Sequence, residues 1–302
     1  MMTAREPASA HSALRRENIK YNISLQAPPT GAEALDTRGE RSVQHEFVKV
    51  DRAGSVVTVT LDRPGTRNAC SMSMWLALRD SFREIAASDA RAVVLTGANG
   101  DFCSGADVVT SKGSEGFEGS RLTAMRLLAE SVVAVHDCPV PVVVKVDGVS
   151  IGAGFGLALA GDLLFCSDRS RFSAIFAKLG LSLDYGTSWF LAQRIGIHKA
   201  KELAFTAEMM NAARAAELGF VNAVLPADEL DGAVAAVVER IAAGPPIALS
   251  MTKRMLDNAS ASSLVQALET EAIAQNVNLG TEDLAEAFVA FREKRAPAFR
   301  GR

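Results

Sequence analysis

Residues 141–162, Pro-Val-Val-Val-Lys-Val-Asp-Gly-Val-Ser-Ile-Gly-Ala-Gly-Phe-Gly-Leu-Ala-Leu-Ala-Gly-Asp, limit what the rest of the chain can become. The first half is a β-branched run of the kind that fills a strand covered on both faces, and the second half carries small residues at helical spacing. A strand therefore feeds a helix through glycine. Gly148, Gly152, Gly154 and Gly156 strip side chains from the turn and the first helical turns, so something else can lie against bare backbone there. The unpaired N–H groups at such a helix start, with the positive end of its dipole, suit an anion or a polarised oxygen. The segment reads as the floor of an active site.

Two motif readings compete for it. A dinucleotide fingerprint needs Gly-x-Gly-x-x-Gly, but the third glycine of Gly152-Ala153-Gly154-Phe155-Gly156 comes one residue early, and no acidic residue ends an obvious next strand. The segment Gly148-Val149-Ser150-Ile151-Gly152 does match a Gly-x-Ser-x-Gly nucleophile elbow in its strand-to-helix context. That reading requires a triad of Ser150, Asp184 and His198, since His198 is the histidine downstream of the serine. A serine hydrolase is carried forward as an alternative.

The 302 residues are 48% hydrophobic and 22% charged, enough for a sizeable core. The net charge of −3 gives no basic footprint for nucleic acid, and no apolar run reaches the length of a membrane span. Small-molecule chemistry is the default. Cys70, Cys103, Cys138 and Cys166 are scattered without a C-x-x-C pair, which fits neither a zinc site nor a disulfide framework, so no metal is expected and a reducing cytoplasm is the expected home. His136 and His198 read as structural or solvated. Residues 1–44, with Pro28-Pro29 and scattered charge, read as a flexible N-terminal extension, and Glu6, Glu17, Glu33 and Glu40 argue against a targeting peptide.

Beyond the extension, the pattern predicts a hairpin over 47–61, then a helix from Met72 to Ala87 capped by Ser71. Further strands are predicted at 92–96, 163–167, 171–173 and 221–225, with helices at 121–136, 188–194, 199–207 and 212–218. Residues 110–120, with Lys112, Glu115 and Glu118, read as a mobile loop. From Asp228 the pattern is helical, broken at Gly244-Pro245-Pro246, at 259–262 and at Gly280. Strands alternate with helices first, and helices come last. This divides the chain into the extension, an α/β core over 45–243 and a helical portion over 244–302.

Several segments carry a resemblance. Residues 147–162 are similar to the second signature of the enoyl-CoA hydratase/isomerase (crotonase) superfamily, and Val93-Val94-Leu95-Thr96-Gly97 through Cys103-Ser104-Gly105-Ala106-Asp107 is similar to its partner. Leu61-Asp62-Arg63-Pro64 with Arg67-Asn68-Ala69, residues 176–191, and Phe291-Arg292-Glu293-Lys294-Arg295-Ala296-Pro297 extend the match over about 46–302 in the family's order. The resemblance implies a ClpP/crotonase-like spiral of β-β-α turns whose terminal helices pack on neighbours in a homotrimer or a hexamer of two trimers. It implies an acyl-CoA substrate, coenzyme A being part of that substrate with no further cofactor, and a role in fatty acid metabolism.

It also implies roles residue by residue. Ala106 and Ala153 fall at the oxyanion-hole positions, where two backbone N–H groups hold an enolate oxygen. Ser104, Gly105 and Gly152 flank them, and Asp107 reads as a helix cap or loop-ordering group. Arg67, Asn68 and Ala69 match the stretch beside the coenzyme A nucleotide, while Lys253, Lys294 and Arg295 are candidates for its phosphates. Hydratases of the family use two glutamates, and here those positions are Gly156 and Phe176, neither of which can move a proton. The segment Phe176-Ala177-Lys178-Leu179-Gly180-Leu181-Ser182-Leu183-Asp184-Tyr185-Gly186 resembles the branch typified by phenylacetate-pathway isomerases, in which the aspartate is the acid/base.

Asp184 is therefore expected either as the single proton-transfer group or as the cap of the helix beginning near Thr187 or Ser188. Isomerase-type chemistry is the leading expectation. A fatty-acid-degradation enoyl-CoA hydratase and a non-catalytic acyl-CoA binder are the alternatives. Phe117, Phe155, Phe172, Phe176 and Trp189 are candidate walls of an acyl pocket.

Overall fold

The computed structural model describes residues 33–35, 41–107 and 120–302. Except for Ser120, the loop expected over 110–120, with Lys112, Glu115, Phe117 and Glu118, lies outside them, as does most of the expected extension.

Strands β1 (Glu33–Leu35), β2 (Arg41–His45), β3 (Val48–Ala53) and β4 (Val56–Leu61) pair antiparallel in chain order. Two of them lie at or before residue 45, in or at the end of the stretch expected as an extension. Neither has apolar alternation of its own. β2 forms because β3 offers it a ladder, with Val43 opposite Val50. The helix α1 (Met72–Ala86) starts at Ser71, whose Oγ accepts from the Met74 N–H, and it buries Met74, Trp75, Leu78, Phe82 and Ile85.

Then come β5 (Ala92–Gly97), α2 (Arg121–His136), β6 (Val142–Val146), β7 (Val149–Ile151) and α3 (Ala153–Leu159). They are followed by β8 (Leu163–Ser167), β9 (Arg171–Ser173), a 3-10 turn at Ile175–Leu179, α4 (Thr187–Ile195) and α5 (Ile197–Thr206). The chain closes with β10 (Met210–Asn211), α6 (Ala212–Leu218), β11 (Ala223–Leu225), α7 (Leu230–Ala242), α8 (Pro246–Asn258), α9 (Leu264–Leu279) and α10 (Glu282–Glu293). No single described helix is long and apolar enough to cross a membrane.

Two ladders organise these elements. The larger sheet runs β1-β2-β3-β4-β5-β6-β8-β11, parallel from β4 onward. The smaller runs β10-β9-β7, and single parallel bridges from Ser150 to Cys103 and from Ala106 to Cys70 continue it backward along the chain. Each circuit therefore contributes one strand to the large sheet, one rung to the small ladder, and a helix. This is the crotonase-type spiral of β-β-α turns.

Burial explains the sequence pattern. Val93, Leu95, Val142 and Val144 enter the main core, while Ala92, Val94 and Val143 face Leu230, Val234 and Val238 of α7. With both faces covered, β5 and β6 read as continuous apolar runs. β4 alternates, burying Val57, Val59 and Leu61.

Asn68 holds the first circuit to the second. It is buried in the left-handed region at φ 56°; its Oδ1 accepts from the Arg63 N–H at 2.9 Å, and its Nδ2 donates to the carbonyls of Ala98 and Asp101 at 2.9 and 2.8 Å. Alanine would leave those backbone groups without this partner and would be strained at that φ. Asn68→Ala is expected to cost roughly 2–4 kcal/mol, measurable as a lower urea midpoint with an unchanged slope.

Candidate active site

The two glycine-rich signatures meet as neighbouring rungs. The Cys103 N–H donates to the Val149 carbonyl at 2.9 Å, and the Ile151 N–H donates back to the Cys103 carbonyl at 3.0 Å. On the other side, the Cys70 N–H donates to Gly105 at 2.8 Å and the Asp107 N–H to Cys70 at 2.9 Å. This alternation uses the Gly105 carbonyl and the Asp107 N–H, and the N–H of Ala106 has no partner among the described residues. Ala153, first residue of α3, likewise has an N–H that no carbonyl within its helix can reach.

The two amides belong to one place. A Cβ built on Gly105 would lie 3.7 Å from the Ala153 nitrogen, so the rung ending in Ala106 runs beside the start of α3. Approach this close needs bare backbone. At Gly154 any side chain would overlap the Cys103 carbonyl. Backbone N–H donors without carbonyl partners can polarise a carbonyl oxygen and hold it as it gains charge.

Around them the groups expected to contact coenzyme A are mostly braced by other protein atoms. Arg63 forms a 2.8 Å ion pair with Asp107, both largely buried, donates to the Ala69 carbonyl at 2.7 Å and lies over the Phe47 ring. Asp107 thus orders the strand that presents Ala106. Sequence reasoning quoted Arg63 as part of a motif but assigned it no role, because its partner lies 44 positions away. Ser104 Oγ donates to the Thr66 carbonyl at 2.9 Å, and its N–H donates to Arg67 at 3.0 Å. Arg67 is exposed in a left-handed conformation, with Nε 3.9 Å from Asp101. The Gly152 N–H donates to Ser173 at 2.9 Å, tying the α3 start to β9.

Of the three basic candidates for phosphates, Lys253 is buried in a 2.9 Å pair with Asp162, and Arg295 is held by Glu286 and Glu293. A cation already paired with a carboxylate offers a phosphate less than a free one. Lys294 ends α10, is exposed, and pairs with no described carboxylate.

Asp184 is not a helix cap. Its main-chain carbonyl, not its carboxylate, accepts the Thr187 N–H at 3.0 Å, and α4 starts at Gly186 with no side-chain cap. The carboxylate is half-buried, Oδ1 has no hydrogen-bond partner among the described residues, and burial pushes its pKa up to about 6. The loop bearing it lies against α3. A Cβ on Gly156 would come within 2.5 Å of the Tyr185 carbonyl oxygen and 2.7 Å of Thr187 Oγ1, so the glycine is a seat for this loop. Phe176 is buried, and its ring edge comes within 3.9 Å of where a Gly152 Cβ would sit.

Burial rules out the hydrolase reading and places two of the candidate wall residues in the core. Ser150 is inaccessible and its Oγ donates to the Gly154 carbonyl at 3.2 Å, while His198 is exposed on α5, so no hydrolase triad forms. Phe155 and Phe172 are fully buried and pack with Phe220 in the core, at ring-centre distances of 5.3–5.7 Å. Trp189 is 45% exposed and lines a cavity with His136, Lys253 and Asp257, its ring meeting His136 edge-on at 5.4 Å.

Residues 51–302 match the family model described as enoyl-CoA hydratase/isomerase. A probable enoyl-CoA hydratase of Rhodobacter capsulatus is 32% identical over 262 residues, covering 86% of this chain and 100% of that one. The 1,2-epoxyphenylacetyl-CoA isomerase of Escherichia coli is 30% identical over 85% of this chain and 99% of its own. The crystal structure of an enoyl-CoA hydratase from Bacillus anthracis superimposes with a TM-score of 0.80 at 29% identity, covering 85% of this chain and 100% of that one. With the family's fold, both its signatures in contact and a match across most of its length, the chain belongs to the enoyl-CoA hydratase/isomerase family.

Proposed function

We propose that the protein isomerises an acyl-CoA thioester, with Asp184 as its single proton-transfer group. The thioester oxygen would sit between the N–H groups of Ala106 and Ala153. Asp184 takes a proton from a carbon beside the conjugated system, the electron pair moves onto that oxygen as an enolate, and the same carboxyl returns the proton to a different carbon. Protons and electrons balance within the substrate, so no further cofactor is needed. The observation that carries this reading is a carboxylate with a pKa near 6 whose Oδ1 has no hydrogen-bond partner among the described residues, in a chain with Gly156 and Phe176 where the family's hydratases have glutamates. A pKa close to working pH suits a group that must both take and give a proton. Water addition would need another group to activate water, and the buried Phe176 ring does not supply one.

For the coenzyme we propose the backbone of Arg67, Asn68 and Ala69, the turns at Ser104, Gly105, Asp107 and Gly152, and Lys294 toward a phosphate. For assembly we propose a homotrimer or a pair of trimers. Leu264 and Val265 on α9 and Phe288 and Phe291 on α10 are 63–83% exposed, more apolar surface than terminal helices keep in water without a covering partner. Four buried free thiols support a reducing compartment, the cytoplasm.

Incubated in deuterated water with trans-2- and cis-3-hexenoyl-CoA, the protein is expected to exchange deuterium into the acyl chain and to move the double bond. Asp184→Asn should lower that rate about 100-fold or more, and the parent rate should rise with pH through a midpoint near 6. Hydration that survives the substitution would overturn the role of Asp184, and saturable binding with no exchange would favour a binder.

Stability should move the other way. The native carboxyl keeps its proton up to about pH 6, whereas the unfolded chain releases it near 3.8, so stability falls as pH rises between those values and stays lowered above them. Asp184→Asn is therefore expected to melt higher than the parent at pH 8 and close to it at pH 4, by calorimetry. Light scattering should give three or six times the chain mass of 31.9 kDa, and Phe291→Asp should shift it toward a single chain.

A further inference from the structure

Asp184 occupies a turn in which an aspartate would ordinarily cap the following helix. Its side chain lies three residues before the Thr187 N–H, the spacing at which a carboxylate accepts that donor. The turn instead passes through two consecutive left-handed residues, Tyr185 at φ 50° and Gly186 at φ 75°. That path brings the Asp184 carbonyl to the N–H and keeps the carboxylate away. Glycine adopts the conformation freely, but a tyrosine does so only when its surroundings hold it there.

Three contacts hold Tyr185. Its ring packs on Trp75 at a centroid distance of 4.4 Å, and its main-chain carbonyl lies against the bare Cα of Gly156. Its hydroxyl lies 2.5 Å from Ser131 Oγ on α2. Ser131 spends its own proton on the Leu128 carbonyl at 2.6 Å, so the phenol is the donor of the pair. Trp75 and Ser131 are fully buried, and Tyr185 nearly so. The contacts come from α1, α2 and α3, none of which contains Asp184.

We propose that Tyr185, anchored by Ser131, is the positioning residue that withholds Asp184 from the helix N-terminus and so keeps its carboxylate free to move a proton. With the anchor loosened, the turn relaxes toward right-handed backbone, and the carboxylate gains the Thr187 N–H as a partner. A hydrogen bond to the charged form then draws its pKa down from about 6 toward ordinary carboxylate values. The base weakens while the oxyanion donors and the coenzyme contacts stay in place. This rests on the reading of Asp184 as the proton-transfer group.

The test uses Tyr185→Phe, which keeps the ring on Trp75 and removes only the anchor, with Ser131→Ala as an independent cut of the same bond. Exchange from cis-3-hexenoyl-CoA in deuterated water is followed from pH 4.5 to 8.5, beside a carbon NMR titration of labelled aspartate carboxyls, with Asp184→Asn assigning the Asp184 signal. Both variants are expected to lose about tenfold in kcat with KM within about twofold, and to lower the midpoint of the acid limb and of the carboxyl titration by about one pH unit. A purely structural role for Tyr185 predicts less folded protein with both midpoints unmoved, and that result overturns the proposal. So do variants with parental kcat and midpoints while Asp184→Asn is inactive. Full exchange by Asp184→Asn would instead overturn the base reading, and the positioning role with it.

Discussion

The structure depends on one close approach, that of the rung 103–106 to the rung 149–154. Backbone meets backbone there with nothing between, because Gly105 faces the Ala153 nitrogen and Gly154 faces the Cys103 carbonyl. Each circuit of the spiral must land its short rung at this spacing for the next to bond to it. The same spacing leaves two amides without carbonyl partners. Ala153 is buried while Ala106 is exposed, so it is the Ala153 N–H whose burial costs folding free energy that a bound oxygen can offset. Fold and site are thus one constraint, and a side chain at Gly154 would break both.

A second seat on α3 underlies the proposed single-base chemistry. Gly156 receives the Tyr185 carbonyl and Thr187 Oγ1, so a long acidic side chain there would collide with the loop that bears Asp184. One helix position can hold an acid or seat that loop, and this chain seats the loop. The consequence is a carboxylate whose Oδ1 has no hydrogen-bond partner among the described residues, which lowers stability at neutral pH and raises its basicity. Strain at Tyr185 and desolvation at Asp184 sit on adjacent residues, held by three helices packed around them.

Much of this was legible in the chain. The helix over 121–136, its sister over 212–218 and the breaks at Gly244-Pro245-Pro246 and Gly280 follow from periodicity and backbone punctuation, which are local properties. Ser71 announced the start of α1 for the same reason. The strands β2 and β7 were missed because each is short and gains its identity from a partner ladder. The Gly-x-Ser-x-Gly match misled because spacing cannot report that Ser150 is sealed inside the core and bonded to the Gly154 carbonyl of α3. Phe155 and Phe172 misled likewise, since an aromatic side chain reads the same in a core as in a pocket wall.

The sequence by itself determined that a buried strand runs through glycine into a small-residue helix, that both signatures occur in the family's order, and that neither hydratase glutamate is present. These are matters of residue type and spacing. Only the tertiary structure decided that Asp184 is an uncapped, desolvated carboxylate, that Lys253 and Arg295 are already neutralised, and that Arg63 braces the strand presenting Ala106. The partners that settle these roles lie 44 to 91 positions away for Arg63 and Lys253, and Ser131 stands 54 from Tyr185. A side chain's protonation and availability depend on what surrounds it in space, and separation along the chain carries no record of that.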